Sequence, residues 1–315
     1  GNSITTGPAP GLIEAALKGA SGKPPTIGLR IRLPFEQKMN YYIDYPYFFN
    51  WFFPRLYAFS ELNRALLHHY GGIGSLLEFF NFVDLKQKDS LSDSTAIALV
   101  ADYYKPLIRW MDYLEQQGYL RKPNKTVFQS FDSTDYDGIL EMVENSYAPL
   151  EGMGRLRIQA EEIYDAFKGI QNDLRMLGPA VSIFGSYKDE MALPYAQAVE
   201  EIAEWLALQG ISILYPTHTG IGGAVENGHG AVTKRTFGTS RRVEKSRLIH
   251  VGKDTFKDSL PYADIDFKTE YQFLKKFIMT HYADQAYIIF PGGTGTMDFV
   301  MELIQLKQVN HMPRD

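Results

Sequence analysis

Short apolar runs and helical stripes alternate along this chain. Ala286 to Phe290 (AYIIF) is a continuous apolar run of the length expected of a buried parallel strand. The turn Pro291-Gly292-Gly293-Thr294-Gly295-Thr296 follows, and then a helical stripe that reaches Gln308. Gly292, Gly293 and Gly295 allow a tight turn and let a ligand approach bare backbone. Thr296 is placed to cap the helix. A helix start of this kind presents N–H groups and a positive dipole end, which suits a phosphate. Glycines serving turn geometry alone would look the same at this level.

The pattern occurs twice. Tyr70 to Gln87 reads YGGIGSLLEFFNFVDLKQ. Gly71, Gly72, Gly74, Leu85, Lys86 and Gln87 recur as Gly292, Gly293, Gly295, Leu306, Lys307 and Gln308, at a constant offset (292 − 71 = 221, 308 − 87 = 221). That spacing is too long for a solenoid and indicates a duplicated domain.

Around these two turns the pattern predicts strand–helix alternation. Gly1 to Ala20 reads as a strand end, a Gly/Pro loop between Gly7 and Gly11, and a helix with Glu14 in its first turn, where the dipole favours an acid. Thr26 to Leu33 alternates as a strand, Phe48 to Leu62 reads as a helix disturbed near Pro54, and Arg64 to His69 as a strand. Ala96–Val100 and Val127–Phe131 read as further strands, Tyr104–Gln117 and Tyr136–Asn145 as helices. Glu151 to Leu177 is charged, periodic and free of proline, and reads as a linker helix. The second half opens with a strand at Ala180–Phe184, a helix at Tyr195–Gln209 and a strand at Ile211–Tyr215. The fold class expected is α/β, with two Rossmann-like parallel-sheet domains over 1–150 and 178–315.

The two halves end differently. The second has an opening strand and helix that the first lacks, and the first continues for about sixty residues beyond Gln87, more than a mere loop. The expectation is that upstream residues or another subunit complete the first domain, and that the second lacks its C-terminal part.

Composition narrows the partners. At 315 residues and 45% hydrophobic, the chain can bury two cores. The net charge of −5 argues against a general nucleic-acid binder. No cysteine is present, which removes thiolate catalysis and cysteine-ligated zinc and suits a reducing, cytoplasmic setting. No run is long and apolar enough to span a bilayer, and the aromatic cluster Tyr45–Phe53 reads as core or a domain interface. Nothing at the start reads as a signal peptide. His68 and His69 point to opposite faces of an extended strand and cannot chelate one metal together.

Two stretches are candidates for ligand chemistry. Gly220, Gly222 and Gly223 make a second glycine loop that would lie beside the 292–296 turn at the carboxyl edge of one sheet, where open α/β sheets bind ligands. Lys234, Arg235, Arg241, Arg242, Lys245 and Arg247 read first as a solvated loop, and second as steering for a phosphorylated ligand.

Ile289 to Thr296 (IFPGGTGT) resembles the P-G-G-x-G-T signature of the LONELY GUY family, whose members were long misnamed lysine decarboxylases. Thr6 to Ala20 is similar to the family's T-G-G-G-P-G-[LI]-M-E-A-A segment, and Ile27 to Asn40 to its strand and L-P-x-E-Q-x-x-N loop. The resemblance implies a Rossmann-like sheet, usually a dimer, and hydrolysis of the N-glycosidic bond of nucleoside 5′-monophosphates to free base and ribose 5-phosphate, with no metal or redox cofactor. It further implies phosphate binding at the glycine turns and, near the ribose, an arginine from the preceding helix with a glutamate from the turn motif.

Carried onto this chain, the arginine is Arg55 and the glutamate Glu78, with Gly71, Gly72, Gly74 and Ser75 at the turn. Gly7, Gly11 and Glu14 fall in the first loop, where Pro8 and Ala9 stand in place of glycines. In the second half the arginine position is Lys276 and the glutamate position Phe299, while Gly292, Gly293, Gly295 and Thr296 keep the turn. Asp298 and Glu302 flank Phe299 on what a helical wheel places as other faces. The reading is a pseudo-dimer within one chain, possible also as a homo-oligomer. Its first half cleaves a nucleoside monophosphate, and its second half binds one. The alternative is a non-catalytic nucleotide sensor.

Overall fold

The computed structural model describes residues 3–7, 9–33, 40–100, 102–146, 177–236, 246–252, 263–269 and 271–310, with isolated positions between 147 and 176. Pro8, the loop 34–39, nearly all of the expected linker helix and the side chains of Lys234, Arg235, Arg241, Arg242 and Lys245 lie outside the described residues. The chain divides into two compact units, 1–151 with 301–311 and 152–300 with 312–315. Both are α/β, as the alternating pattern predicts.

In the first unit, β1 (Ile4–Thr6), β2 (Thr26–Ile31) and β3 (Tyr45–Phe49) form a parallel sheet in the order β1-β2-β3, and α1 (Leu12–Ala20) connects the first two strands. After α2 (Phe52–Leu62), a second parallel sheet runs β4-β5-β6, from β4 (Ala65–His68), β5 (Ala96–Val100) and β6 (Gln129–Phe131). Its connections are α3 (Ile73–Gln87), then α4 (Lys105–Gln116) and α5 (Asn124–Val127), and α6 (Tyr136–Asn145) follows β6. Among the described residues, β1 pairs only with β2, and β4 only with β5.

Helix α3 is buried on every side from Phe79 to Gln87, so it lacks the single apolar stripe of a surface helix. Its buried polar ends are satisfied locally. Lys86 Nζ donates to Thr95 O at 2.7 Å, and Gln87 Oε1 accepts from the amides of Arg121 and Lys122 at 2.9 and 2.8 Å. The same Lys-Gln pair in the second half, Lys307 and Gln308, is exposed. Helix α6 starts at a true side-chain cap, with Asp135 Oδ1 accepting from Gly138 N at 3.1 Å.

The aromatic stretch before Pro54 corrects the sequence expectation. Phe48 and Phe49, expected to open the helix, instead end strand β3, which pairs with β2 from Ile27↔Tyr45 to Ile31↔Phe49. Aromatic side chains suit a pleated surface as readily as a helix. Helix α2 begins only at Phe52, which puts Pro54 in the first turn, where a missing N–H has no helical acceptor to lose. The ring of Phe48 is not core: it is half exposed, with the guanidinium groups of Arg30 and Arg32 over it at 5.4 and 5.8 Å.

The second unit carries one five-stranded parallel sheet in the order β10-β9-β8-β7-β11. Its strands are β7 (Ala180–Phe184), β8 (Ser212–Tyr215), β9 (Leu248–Gly252), β10 (Ile265–Lys268) and β11 (Ala286–Ile289). The helices are α7 (Asp189–Ala192), α8 (Ala196–Leu208), α9 (Ile221–Thr236), α10 (Gln272–His281) and the first half of α11 (Thr294–Gln308), whose residues from Met301 onward count with the first unit. Val181, Ile183, Val199, Ala203, Ile213 and Val225 form a continuous core between the sheet and α8–α9. From β7 the chain builds outward to β10 on one side, then returns to place β11 on the other. The carboxyl end of β7 is therefore a topological switch point. β11, expected as a core strand, is an edge strand among the described residues, and Ile289 is exposed. An apolar run alone does not distinguish the two positions.

Candidate functional site

In the first unit, the expected pair forms. Arg55 Nη2 lies 2.8 Å from Glu78 Oε1, and Arg55 Nε donates to Leu29 O at 2.9 Å. The guanidinium also stacks over Phe59 at 4.9 Å. Helix α2 supplies the arginine and strand β2 anchors it. Helix α3 carries the glutamate six residues into its length. Gly7, buried just after β1, belongs to the same place: a Cβ there would lie 2.9 Å from Arg55 Nη2. The pair is held rather than sealed, since the side chains keep 11% and 23% of their exposure.

The glycine turn leads directly into this pair. Gly72 precedes α3, and the first intrahelical bond runs from Leu76 N to Gly72 O at 3.1 Å. The amides of Ile73, Gly74 and Ser75 thus have no acceptor within the helix, as at any helix start. Ser75 folds back on the turn, its Oγ lying 2.1 Å from where a Gly71 Cβ would be. Tyr103 OH donates to Gly71 O at 2.9 Å, and Tyr104 OH donates to His69 O. Burial, with Tyr103 and Glu78 close by, pushes the Tyr104 hydroxyl up to about 12, so it remains a donor. Gly11, at φ 83, opens α1, and Glu14 stands exposed in that helix's first turn, the location the dipole argument gives it.

The second unit builds the same turn with different chemistry around it. Ser75 over Gly71 is matched by Thr296 over Gly292, whose Cβ would lie 2.1 Å from Thr296 Oγ1. Helix α11 begins at Thr294, so Thr296 is its third residue and not its cap. Gly293 O accepts from Met297 N at 3.1 Å, which leaves the amides of Thr294, Gly295 and Thr296 at the helix start. Lys276 does find an acid. Its Nζ lies 2.9 Å from Asp298 Oδ1, with both side chains fully buried. The helical-wheel expectation that Asp298 faces elsewhere is thereby corrected: the acid stands one residue earlier in the chain than the glutamate position, and a lysine stem is flexible enough to follow. Phe299, in the glutamate's place, stacks on Phe184 at 5.0 Å.

The second unit's other loop is already filled from within. Gly220 N donates to Asp189 Oδ1 at 2.7 Å, and Ile221 N donates to Ser186 O at 2.9 Å. A carboxylate of the protein thus sits at the start of α9. Gly220, at φ 62, passes so close to Ser186 O that a Cβ would lie 2.2 Å away, and a Cβ on Gly222 would lie 1.6 Å from Thr217 O. Chain packing accounts for both glycines.

Sequence reasoning missed a cluster beside this loop. Tyr215, His250 and Asp266 stand in register on β8, β9 and β10. His250 Nδ1 lies 2.7 Å from Asp266 Oδ1, and His218 Nδ1 lies 2.6 Å from Glu226 Oε1. Tyr215 OH donates to Glu226 Oε1 at 2.7 Å, and Lys275 Nζ donates to Pro216 O at 2.6 Å. The two imidazole rings lie 3.5 Å apart. Burial drives the His250 pKa down to about 4 against the raising effect of Asp266. Burial and the nearby Glu226 carboxylate push the Tyr215 hydroxyl well above its usual range. The signal was a histidine inside the apolar run LIHVG and another in the loop Thr217-His218-Thr219, but the sequence does not give strand register.

Residues 11–137 match the protein family described as "Possible lysine decarboxylase". The resemblance read from the sequence holds over that stretch, which contains Arg55, Glu78 and the first glycine turn. The X-ray structure of TM1055, a structural-genomics target, is similar at 16% identity over 41% of this chain and 69% of its own, with a TM-score of 0.34. No curated protein matches the chain.

Proposed function

We propose, on the premise that residues 11–137 belong to the lysine-decarboxylase-like family, that the first unit hydrolyses the N-glycosidic bond of nucleoside 5′-monophosphates. The observation that carries this reading is the 2.8 Å pairing of Arg55 with Glu78 beside a glycine turn that opens a helix. The 5′-phosphate takes the amides of Ile73, Gly74 and Ser75, where the helix dipole favours an anion. Glu78 then stands beside the ribose. As the C1′–N bond breaks, the base leaves with the bonding electrons and the sugar develops oxocarbenium character, which a nearby carboxylate stabilises. Arg55 orients that carboxylate and supplies fixed positive charge toward the ribose phosphate. Water adds at C1′, one of its protons ends on the base, and the products are free base and ribose 5-phosphate.

In the second unit, the Lys276–Asp298 pair and the Phe184–Phe299 stack favour a different role. A phenyl ring neither stabilises a cation as a carboxylate does nor accepts a proton. We read this unit as binding a phosphorylated ligand at Thr294–Thr296 without cleaving it. The constant 221-residue offset and the matching turns support descent of both units from one domain.

The test is product analysis with a panel of nucleoside 5′-monophosphates. Release of base and ribose 5-phosphate is expected from the parent protein and is lost in Glu78→Gln. Equal release from the Glu78→Gln protein removes the assignment. No release from folded parent protein leaves the nucleotide-sensor reading for the whole chain.

A further inference from the structure

Two adjacent strands in the second unit and the loop after a third gather donors that the glycosidase reading does not use. We propose that His218, His250 and Asp266 form a site for a divalent transition-metal ion of the zinc class. Among the described residues, one donor atom from each of the three lies within 4.8 Å of the others. A tetrahedral ion with bonds of about 2.0–2.2 Å holds its ligands about 3.4 Å apart, so on metal binding the 2.7 Å hydrogen bond between His250 and Asp266 gives way to bonds to the ion and the wider separations close. Two imidazoles and a carboxylate suit zinc and its neighbours and leave a coordination position open.

Three features make this a built site. First, its platform is rigid. Asp266 is the direct register partner of His250, and His250 of Tyr215, so two of the three ligands stand on neighbouring strands of one sheet. Second, the histidine that comes from a loop is held by a further layer. Glu226 Oε1 lies 2.6 Å from His218 Nδ1 and accepts from Tyr215 OH at 2.7 Å, which fixes the ring as outer carboxylates fix metal-binding histidines. Third, the rings of His218 and His250 lie 3.5 Å apart at 39°, with His250 buried. A cation between these donors answers both the crowding of the rings and the carboxylate beside them. Gly252 contributes by absence of bulk, since a Cβ there would lie 2.5 Å from the His250 ring.

The site is built from residues of the second unit alone, and its test does not depend on base release. Untagged full-length protein is stripped with a chelator and titrated with Zn²⁺, and separately with Co²⁺ as a spectroscopic probe. The expected result is one ion per chain, with the ligand-field absorption of a low-symmetry Co²⁺ site. His218→Ala and His250→Ala should each weaken binding more than 100-fold. Glu226→Gln, which keeps all three ligands, should weaken it about 10- to 100-fold. Circular dichroism shows whether each variant is folded, and Glu226→Gln stands as the decisive variant if a histidine replacement unfolds. Absence of stoichiometric binding by the parent protein overturns the proposal. So does binding that folded His218→Ala, His250→Ala and Glu226→Gln proteins all retain at parental affinity.

Discussion

Lys276 Nζ and Asp298 Oδ1 are 2.9 Å apart in a place with no solvent exposure on either side chain. Removing one member of a buried ion pair leaves the other charge uncompensated, which costs about 3–5 kcal/mol. Asp298→Ala is therefore expected to lower the denaturant midpoint strongly. Replacing both members with apolar residues, as in Lys276→Met with Asp298→Leu, should recover most of that loss. Equal destabilisation by the single and the double replacement would show that the pair is not the cause.

Phe299 occupies the position that Glu78 holds in the other unit, and it spends its side chain on the stack with Phe184. Phe299→Ala removes a buried aromatic ring and should cost about 3–5 kcal/mol in unfolding measurements. Base release per folded molecule should not change. Phe299→Glu should not create a second active site, because Lys276 is already committed to Asp298.

His68 gives the stability a pH dependence with a definite sign. It is buried at the end of β4, edge-on to Phe79 at 5.6 Å, and burial lowers its pKa to about 3. The unfolded chain takes up this proton near pH 6.5, whereas the folded chain does so only near pH 3. Stability is thus full above about pH 6.5 and falls as the pH drops toward 3. By pH 5 the loss through this residue is about 2 kcal/mol. Denaturant unfolding at pH 7 and pH 5 should show a drop smaller by that amount in His68→Leu.

Gly220 combines φ 62 with a backbone carbonyl 2.2 Å from its Cβ position. Gly220→Ala should destabilise the second unit by about 1–3 kcal/mol through the positive φ alone, and by more through the collision with Ser186 O. Gly11→Ala, with φ 83 but open space around the Cβ, should show only the smaller effect. Parallel thermal melts separate the two contributions.

The strand–turn–helix units were legible because short apolar runs, glycine turns and helical stripes are local features. Ala180–Phe184, Ala96–Val100 and Tyr136–Asn145 appear in the structure with the bounds that the pattern gives. Phe48 and Phe49 read as the start of a helix because aromatic residues satisfy helix and strand alike, and pairing with β2, 18 residues upstream, makes them strand. The Arg55–Glu78 pair was accessible only through family resemblance, since nothing local joins two residues 23 apart. Asp298 was missed because a helical wheel fixes the Cα direction but not the reach of a lysine. The His218–His250–Asp266 cluster was missed because it is made by strand register, and register follows from the packed sheet and not from any one strand.

The split of the first unit's strands into β1-β2-β3 and β4-β5-β6 has a consequence for cooperativity. In the second unit, a five-strand hydrogen-bond ladder passes through β7, so no strand can leave the interior without breaking its neighbours' bonds. In the first unit, no such ladder joins the two triplets among the described residues, so one can part from the other without breaking a strand-to-strand hydrogen bond. Amide exchange should then divide that unit into two foldons with separate opening free energies, while the continuous sheet exchanges as one. Arg55 and Glu78 bridge that division: Arg55 is anchored to Leu29 in the first triplet, and Glu78 rides on the helix between β4 and β5. The contact that carries the proposed chemistry is thus also a clasp between two separately melting parts.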